Sequence, residues 1–164
     1  MEKNKKSLEF SVFPLWKFLS ENYGMEEAFR MFGPYRGASV SPSIIDKNTV
    51  EVSMPLTVSN TNYVGTHFGG SLYSMCDPFY MFLLIRNLGD DYMVWDKSAS
   101  IEFLKPGKGI VKVLFHISDA ELEEIKNITA KEKKTTRFYE TEIKDESGVT
   151  VARVKKELYI RKLK

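Results

Sequence analysis

The sequence has a single cysteine and only two histidines, and this scarcity limits the sites that it can build. Cys76 has no partner for an internal disulfide, and it lies in an apolar segment where a reduced thiol behaves as a small hydrophobic side chain. The interval between His67 and His116 gives no metal-ligand pattern, and Cys76 adds none. We therefore expect no metal and no cofactor, and the reduced thiol is typical of a protein in the cytoplasm.

The sequence also has no large excess of charge of either sign, since it contains 24 basic and 22 acidic residues and its net charge is +2. A chain so close to neutrality has no overall field that would attract nucleic acid or an anionic membrane. Long hydrophobic runs are also absent, because the segment from Leu72 to Ile85 is short and is interrupted by Asp77 and Pro78. We expect neither a nucleic-acid partner nor a membrane span.

The sequence does contain enough apolar material for one domain, with 43% hydrophobic residues in a chain of 164. Residues 8–33 are rich in aromatic side chains, and Pro14 is suited to the first turn of a helix. This stretch predicts one or two short helices. They form an N-terminal helical extension of residues 1–35 in front of a domain of residues 36–164.

Residues beyond this extension show the period of β-strands in several places. The predicted strands are a hairpin partner at residues 43–46, a strand from residue 50, and then residues 92–104, 111–117, 135–144 and 149–161. A shift of the apolar phase between Val151 and Val154 predicts a bulge in the last strand. One helix, from about Gly70 to Leu88, is long and apolar enough to be buried. The pattern predicts an α+β fold in which a curved, mainly antiparallel sheet wraps around one long central helix.

The start of this helix carries the residues that are best suited to chemistry. Gly69 and Gly70 leave backbone N–H groups free to point at a ligand oxygen, although the residues alone favour the simpler explanation of a tight turn from loop to helix. Asp77 is the one acid of the apolar helix, and a carboxylate there needs partners or a chemical role. Pro78 removes a helical N–H and is expected to kink the helix beside the acid.

This region resembles the hotdog-fold thioesterase superfamily, in which a small sheet wraps a long central helix. The seven-residue interval from Gly70 to Asp77 is that of its His-Gly-Gly branch, typified by the phenylacetic-acid-pathway thioesterases. Three longer segments are similar to an uncharacterised bacterial hotdog family, namely His67-Phe-Gly-Gly-Ser-Leu-Tyr-Ser-Met-Cys-Asp-Pro78, Val94-Trp-Asp-Lys97 and Phe103-Leu-Lys-Pro-Gly107. The resemblance covers about residue 43 to the C-terminus. Phe68 displaces the histidine by one position from the pattern of the characterised enzymes.

The resemblance implies roles for the residues around the helix start. Asp77 would be the general base or the nucleophile, and the amides of Gly69 and Gly70 would bond the thioester oxygen. His67 would orient the substrate or assist the acid, although a loop histidine is more often structural. On the following strand, residues 95–97 (Trp-Asp-Lys) form an unusual cluster, in which we expect an ion pair and an aromatic wall.

Four further polar residues are candidates for positioning or contacting the substrate. Asn62 matches a polar position of the resembling enzymes and would position water or the leaving group, and Asn60 is a weaker candidate. Both can instead hold the loop by side-chain bonds to the backbone. Tyr73 lies four residues before Asp77 on the same helical face, and with Ser74 it would line or fill the pocket.

The activity that the resemblance implies is hydrolysis of an acyl thioester of coenzyme A or of a carrier protein, with coenzyme A entering only as part of the substrate. Enzymes of this kind form homodimers or dimers of dimers, so the acid of one subunit would serve the glycines of the other. A non-catalytic acyl-binding protein is the alternative from another class. A hydroxyacyl-thioester dehydratase ranks third, because Met81 and its neighbours stand where those enzymes place their acid.

Overall fold

The computed structural model describes residues 12–163, and within them the chain forms six helices and six strands. The helices are α1 Pro14–Tyr23, α2 Met25–Met31, α3 Gly33–Ala38, α4 Gly69–Ser74, α5 Phe79–Leu88 and α6 Asp119–Glu132. The strands are β1 Ser41–Ile44, β2 Thr49–Pro55, β3 Tyr92–Phe103, β4 Ile110–His116, β5 Lys134–Asp145 and β6 Thr150–Lys162. Residues 1–11 of the predicted N-terminal extension lie outside the described residues.

The strands form one antiparallel sheet in the order β1-β2-β4-β5-β6-β3. Alternate side chains face the core, as the period of a strand requires, and β2 shows this with Val50, Val52 and Met54 fully buried. The predicted mainly antiparallel sheet is therefore confirmed. β1 and β3 are its edges, and β3 is by far the longer of the two.

Two bulges interrupt the sheet on either side of β6. Val151 is the extra residue where β6 pairs with β5, which confirms the bulge that the apolar phase predicts. Lys97 is the extra residue where β3 pairs with β6. A bulge changes which face of the sheet the following side chains occupy. The one in β3 therefore moves the inward phase from Asp96 to Ala99 and Ile101, which pair with the buried Lys156 and Val154 of β6.

The prediction of a single long helix from Gly70 to Leu88 is wrong, because α4 ends at Ser74 and α5 begins at Phe79. The N–H of Asp77 donates to the carbonyl of Ser74 at 3.2 Å, which closes a three-residue turn in place of a helical one. Pro78 has no N–H to continue the ladder, so it breaks the helix where a kink was expected. The acid lies in that break.

Two helices, α1 and α2, lie in the aromatic stretch, as predicted, and a third helix in the described part of the chain, α3, spans the predicted boundary at residue 36. Phe29 of α2 and Tyr35 of α3 belong to the main core, and the ring of Phe29 lies 5.2 Å from that of Phe79 on α5. Tyr35 also donates from its hydroxyl to the carbonyl of Ser74 at 3.1 Å. α1 is held more loosely, with Trp16 packing 5.0 Å from Phe29. These helices thus cover the break between α4 and α5.

Candidate active site

Asn60 anchors the start of the loop that leads to α4. The residue is 1% exposed, and its side-chain oxygen accepts the N–H of Thr57 at 2.8 Å. Its amide nitrogen donates to the carbonyls of Ala38 at 2.7 Å and Pro55 at 2.8 Å. The side chain therefore ties the loop to the ends of α3 and β2.

Asn62 organises the middle of the same loop. Its oxygen accepts the N–H groups of Val64 and Thr66, both at 3.0 Å. Its amide nitrogen donates to the hydroxyl of Thr66 at 2.8 Å and to the carbonyl of His67 at 3.2 Å. All of these partners belong to the loop, so the geometry agrees with the loop-stabilising interpretation of this residue.

His67 joins the loop to the turn between β3 and β4. Its backbone N–H donates to the carbonyl of Gly107 at 3.0 Å, and its Nε2 donates to the carbonyl of Gly109 at 3.1 Å. The proton is assigned to Nε2 because a carbonyl oxygen only accepts. Burial lowers the pKa of this imidazole, and the bond to Gly109 opposes that shift. A neutral, buried ring thus holds the loop, with Nδ1 unpartnered among the described residues.

The glycine pair opens α4, which has no side-chain cap. The N–H groups of Gly69 and Gly70 have no acceptor within residues 12–163, whereas that of Ser71 donates to the carbonyl of Phe68. A Cβ at Gly69 would lie 2.8 Å from the ring of Phe103, and one at Gly70 would meet the ring of Phe68. The missing side chains therefore let two aromatic rings lie against the helix start.

Asp77 is anchored through one of its two oxygens. Lys156 donates to Oδ1 at 3.1 Å, and the hydroxyl of Tyr73 donates to the same oxygen at 2.9 Å. The ammonium of Lys156 also lies 3.4 Å from the Tyr73 hydroxyl and 3.2 Å from Oδ1 of Asp96. Oδ2 accepts no hydrogen bond from the described residues, and the side chain is 52% exposed. The carboxylate has one fixed oxygen and one open oxygen.

The sheet places Lys156 where its pattern otherwise puts apolar side chains. Val154 and Leu158 face the core on either side of it, and Lys156 itself is only 2% exposed. Asp96 follows the buried Val94 on the same inward phase of β3. Lys156 is absent from the residues predicted from the sequence. Two features of the sequence could have identified it. Lys156 occupies an inward-facing position of its strand, and Asp96 occupies an inward-facing position of another strand.

The side chains on either side of Asp96 in β3 point away from the cluster of Asp77, Tyr73, Lys156 and Asp96. Lys97 pairs with Glu157 at 2.5 Å, and Trp95 is 60% exposed. The ion pair expected in this part of β3 is confirmed, in the form of two separate pairs. The prediction that Trp95 forms an aromatic wall is wrong for a single chain, because its ring is mostly in solvent.

Burial and charge act in opposite directions on the cluster. Burial by itself lowers the pKa of the Lys156 ammonium, but the charges of Asp96 and Asp77 outweigh it, and the pKa is raised overall. The pKa of the Asp96 carboxyl is raised, because its burial outweighs the attraction of Lys156. The pKa of Tyr73 is raised by burial and then by its bond to Asp77. At neutral pH the lysine is therefore charged and the phenol is protonated.

A cavity of about 830 Å³ lies between the N-terminal helices and α5, and Asp77 is part of its wall. Ser74 and Asp77 supply polar groups from the break between α4 and α5, and Arg86 lies further along α5. Most other lining side chains are aliphatic or aromatic. The open carboxylate thus lies at the border of a large apolar space.

The structure brings some of the predicted residues together and keeps others apart. Tyr73 and Asp77 meet, as their four-residue spacing predicts, and Ser74 lines the same cavity. The glycine pair lies at the other end of α4. The seven residues from Gly70 to Asp77 run through α4 and the turn that ends it, and a rise of about 1.5–2 Å per residue places them about 10 Å apart. The amides of Gly70 and the carboxylate of Asp77 in one chain are therefore too far apart to hold the same small group.

The chemistry of the site is that of a carboxylate, an ammonium and a phenol beside an apolar cavity. Among residues 12–163, no three side chains of His, Cys, Asp or Glu are grouped so as to hold a metal ion. In that same part of the chain, no helix has the length and apolar character needed to cross a bilayer. The arrangement is suited to proton transfer or carboxylate attack.

Residues 25–160 match the model of the family described as domain of unknown function DUF4442. The match covers most of the 164 residues, and the chain belongs to this family. The resemblance of the sequence to an uncharacterised family is therefore confirmed. None of the functionally curated proteins compared with the sequence matches it.

Several solved structures share the fold. A Pseudomonas aeruginosa protein of unknown function, described as a probable thioesterase, is 16% identical with a TM-score of 0.76 over 84% of this chain and 93% of that one. A Chlorobaculum tepidum protein of unknown function is 18% identical with a TM-score of 0.68 over 90% and 92%. A Haemophilus influenzae thioesterase is 11% identical with a TM-score of 0.62 over 94% of each chain. At identities this low, the structural similarity establishes a common fold and nothing more.

Proposed function

We propose that this protein is an acyl-thioester hydrolase with the hotdog arrangement of sheet and helix, and that Asp77 is its general base or nucleophile. The observation that carries the proposal is the state of this carboxylate. One oxygen is fixed by Lys156 and Tyr73, and the other is open beside an apolar cavity. The common fold with structures described as thioesterases supports it.

Hydrolysis of a thioester joins a water oxygen to the carbonyl carbon and breaks the bond from that carbon to sulfur. As a base, Asp77 takes a proton from the attacking water on Oδ2 and passes it to the departing thiolate. As a nucleophile, Oδ2 attacks the carbonyl, the thiolate leaves, and water then hydrolyses the acyl-carboxylate anhydride. In both routes Lys156 and Tyr73 hold the carboxylate through Oδ1.

The charge that develops on the carbonyl oxygen requires hydrogen-bond donors, and we assign them to the amides of Gly69 and Gly70 in a second copy of the chain. These N–H groups have no acceptor among the described residues, and their own Asp77 lies about 10 Å away, beyond the end of α4. Donors that are free before the substrate arrives stabilise an oxyanion without reorganisation. His67 and the two loop asparagines are positioning residues, since their bonds hold the loop from which α4 begins.

The edge strand β3 is where the second copy joins. β3 has β6 as its only neighbour in the described sheet, and Ser98, Ala99 and Ser100 are exposed along it. A free strand edge is a ready template for pairing with another chain. We propose a homodimer, or a dimer of such dimers, that binds an acyl-CoA or acyl-carrier-protein thioester.

Replacing Asp77 by asparagine tests the assignment. The amide keeps the shape of the carboxylate and still accepts from Lys156 and Tyr73, so the fold is retained, but it does not take up a proton. We expect kcat on a panel of acyl-CoA thioesters to fall by about 10²–10⁴-fold. Asp90→Asn, at an exposed acid after α5, is the matched control and keeps its activity. Unchanged turnover in Asp77→Asn would remove this residue from the mechanism.

An acyl-binding protein without turnover is the second candidate, and the anchoring of Asp77 favours it. Lys156 and Tyr73 both donate to Oδ1, so the carboxylate already has partners that account for its presence without turnover. Tight binding of acyl-CoA with no hydrolysis across acyl chains of all lengths would favour this candidate. A dehydratase is not proposed, because Met81 lines the cavity with an apolar side chain where an acid is needed.

A further inference from the structure

We propose that the cavity between the N-terminal helices and α5 holds the acyl chain of the substrate, and that its depth along α5 sets the longest chain accepted. The proposal rests on the hydrolase function proposed above. It gives the N-terminal helices a role in specificity. The occupant to which it commits is an unbranched hydrocarbon chain attached to the thioester carbonyl.

The first argument comes from the two faces of α5. Leu83 and Leu84 are fully buried on the sheet side. Met81, Phe82 and Ile85 form a second apolar face, which is only partly buried and lines the cavity. Apolar area left open inside a concave space favours an apolar ligand.

The second argument is the position of this face relative to the acid. Met81 and Ile85 are four residues apart on one face of α5, and Asp77, in the break just before this helix, lines the same cavity. Four residues advance about 6 Å along a helix. A hydrocarbon chain that leaves a carbonyl held at Asp77 therefore passes Met81 first and Ile85 later.

The third argument is the chemistry of the walls. A volume of about 830 Å³ is within the range of about 300–1,000 Å³ that binds small molecules. Arg86 is the one basic side chain in the lining, and it already donates to the carbonyl of Asp46 at 3.4 Å. Such walls do not suit the phosphates of coenzyme A or the polar surface of a carrier protein. They suit the acyl group, which is the apolar part of the substrate.

Two substitutions that shorten the cavity at different depths test the proposal. Ile85→Trp fills the far end and Met81→Trp fills a point closer to Asp77. We measure kcat/KM for straight-chain acyl-CoA thioesters from acetyl to palmitoyl, and the affinity of the matching non-hydrolysable thioethers. In the unaltered protein we expect kcat/KM to rise about fourfold per methylene up to a limiting length.

The expected result is that Ile85→Trp shortens the limiting length and Met81→Trp shortens it further, so that the loss of kcat/KM grows with the length of the acyl chain in each variant. Ile45→Trp, the same replacement at a side chain that is 59% exposed in the β1–β2 hairpin, is the matched control and keeps the original profile. Ile85→Phe gives a milder version for use if the tryptophan variant does not fold.

The outcomes separate this proposal from the hydrolase function. If the affinity for thioethers rises with chain length up to a limit, this limit falls in the variants, and no thioester is hydrolysed, the cavity proposal is supported and the hydrolase function is refuted. If the unaltered protein hydrolyses thioesters, and Ile85→Trp and Ile85→Phe lose the same factor in kcat/KM at every chain length, the cavity proposal alone is overturned. Absence of any chain-length dependence in the unaltered protein also overturns it, since the cavity would then belong to another occupant.

Discussion

Removing the charge of Lys156 is the perturbation whose cost follows most directly from the structure. Lys156→Met keeps most of the side-chain volume but leaves Asp96, whose side chain is 24% exposed, without its cation. Breaking a buried ion pair from one side costs about 3–5 kcal/mol. The contribution of Asp77 to this cost is smaller, because its side chain is 52% exposed and water replaces the lost contact.

The assay is unfolding in urea, followed through the fluorescence of Trp16 and Trp95. We expect Lys156→Met to lower the free energy of unfolding by about 3–5 kcal/mol. Adding Asp96→Asn to it removes the uncompensated charge, so the double variant recovers about 2 kcal/mol of that loss.

The matched control is Lys155→Met, which removes the neighbouring lysine of the same strand. Its side chain is 65% exposed and pairs with Glu140 at 3.5 Å, so the expected loss is about 0–1 kcal/mol. The reasoning is refuted if Lys156→Met costs no more than this control. It is also refuted if Asp96→Asn adds its full separate cost to that of Lys156→Met, because the two groups would then not interact.

Three other predictions concern the loop, the helix start and the sheet edge. Because burial lowers the pKa of His67, the unfolded chain takes up a proton more readily than the folded one. The free energy of unfolding therefore falls as pH drops below about 6.5. Urea unfolding of His67→Gln is expected to show a smaller dependence on pH. Gly70→Ala displaces the half-exposed Phe68 ring over the free amides, so stability changes by less than about 1 kcal/mol while kcat falls by at least about tenfold. Ser100→Lys puts a charge on the exposed edge of β3 and shifts the protein to monomers in sedimentation.

Each of these has a control of the same chemistry elsewhere. His116→Gln replaces the exposed histidine and is the matched control, so equal flattening in both variants contradicts the role given to burial. Gly37→Ala adds a methyl where the structure leaves open space and keeps kcat; a similar kcat in Gly70→Ala contradicts the assignment of the amides. Ser147→Lys, in the β5–β6 turn, leaves the oligomer intact, and an intact oligomer in Ser100→Lys contradicts pairing through β3.

Local periodicity predicts the strands, the bulge at Val151 and the contact between Tyr73 and Asp77, because each depends on residues close together in the chain. The break between α4 and α5 was expected only as a kink. The size of the distortion at Pro78 depends on how Tyr35 and Phe29 pack over the break, and this is set by the tertiary structure.

The partners of Asp77 were harder to predict. Lys156 lies 79 residues away in the chain, and its contact depends on which strands are neighbours. Lys156 shares the inward phase of Val154 and Leu158 in β6, but a lysine in a strand is normally counted as a solvent-facing residue. The cavity was equally hidden, since its walls come from the N-terminal helices and α5, whose packing the pattern of apolar residues does not specify.

The central claim is that a carboxylate from one copy and glycine amides from another make one site, and a heterodimer tests it most directly. Asp77→Asn and Gly70→Ala chains are produced together with different tags, and only dimers carrying both tags are purified. One of the two sites in such a dimer is intact, so we predict about half of the original hydrolytic activity per dimer, although each variant alone is nearly inactive. A heterodimer no more active than the separate variants would contradict the claim.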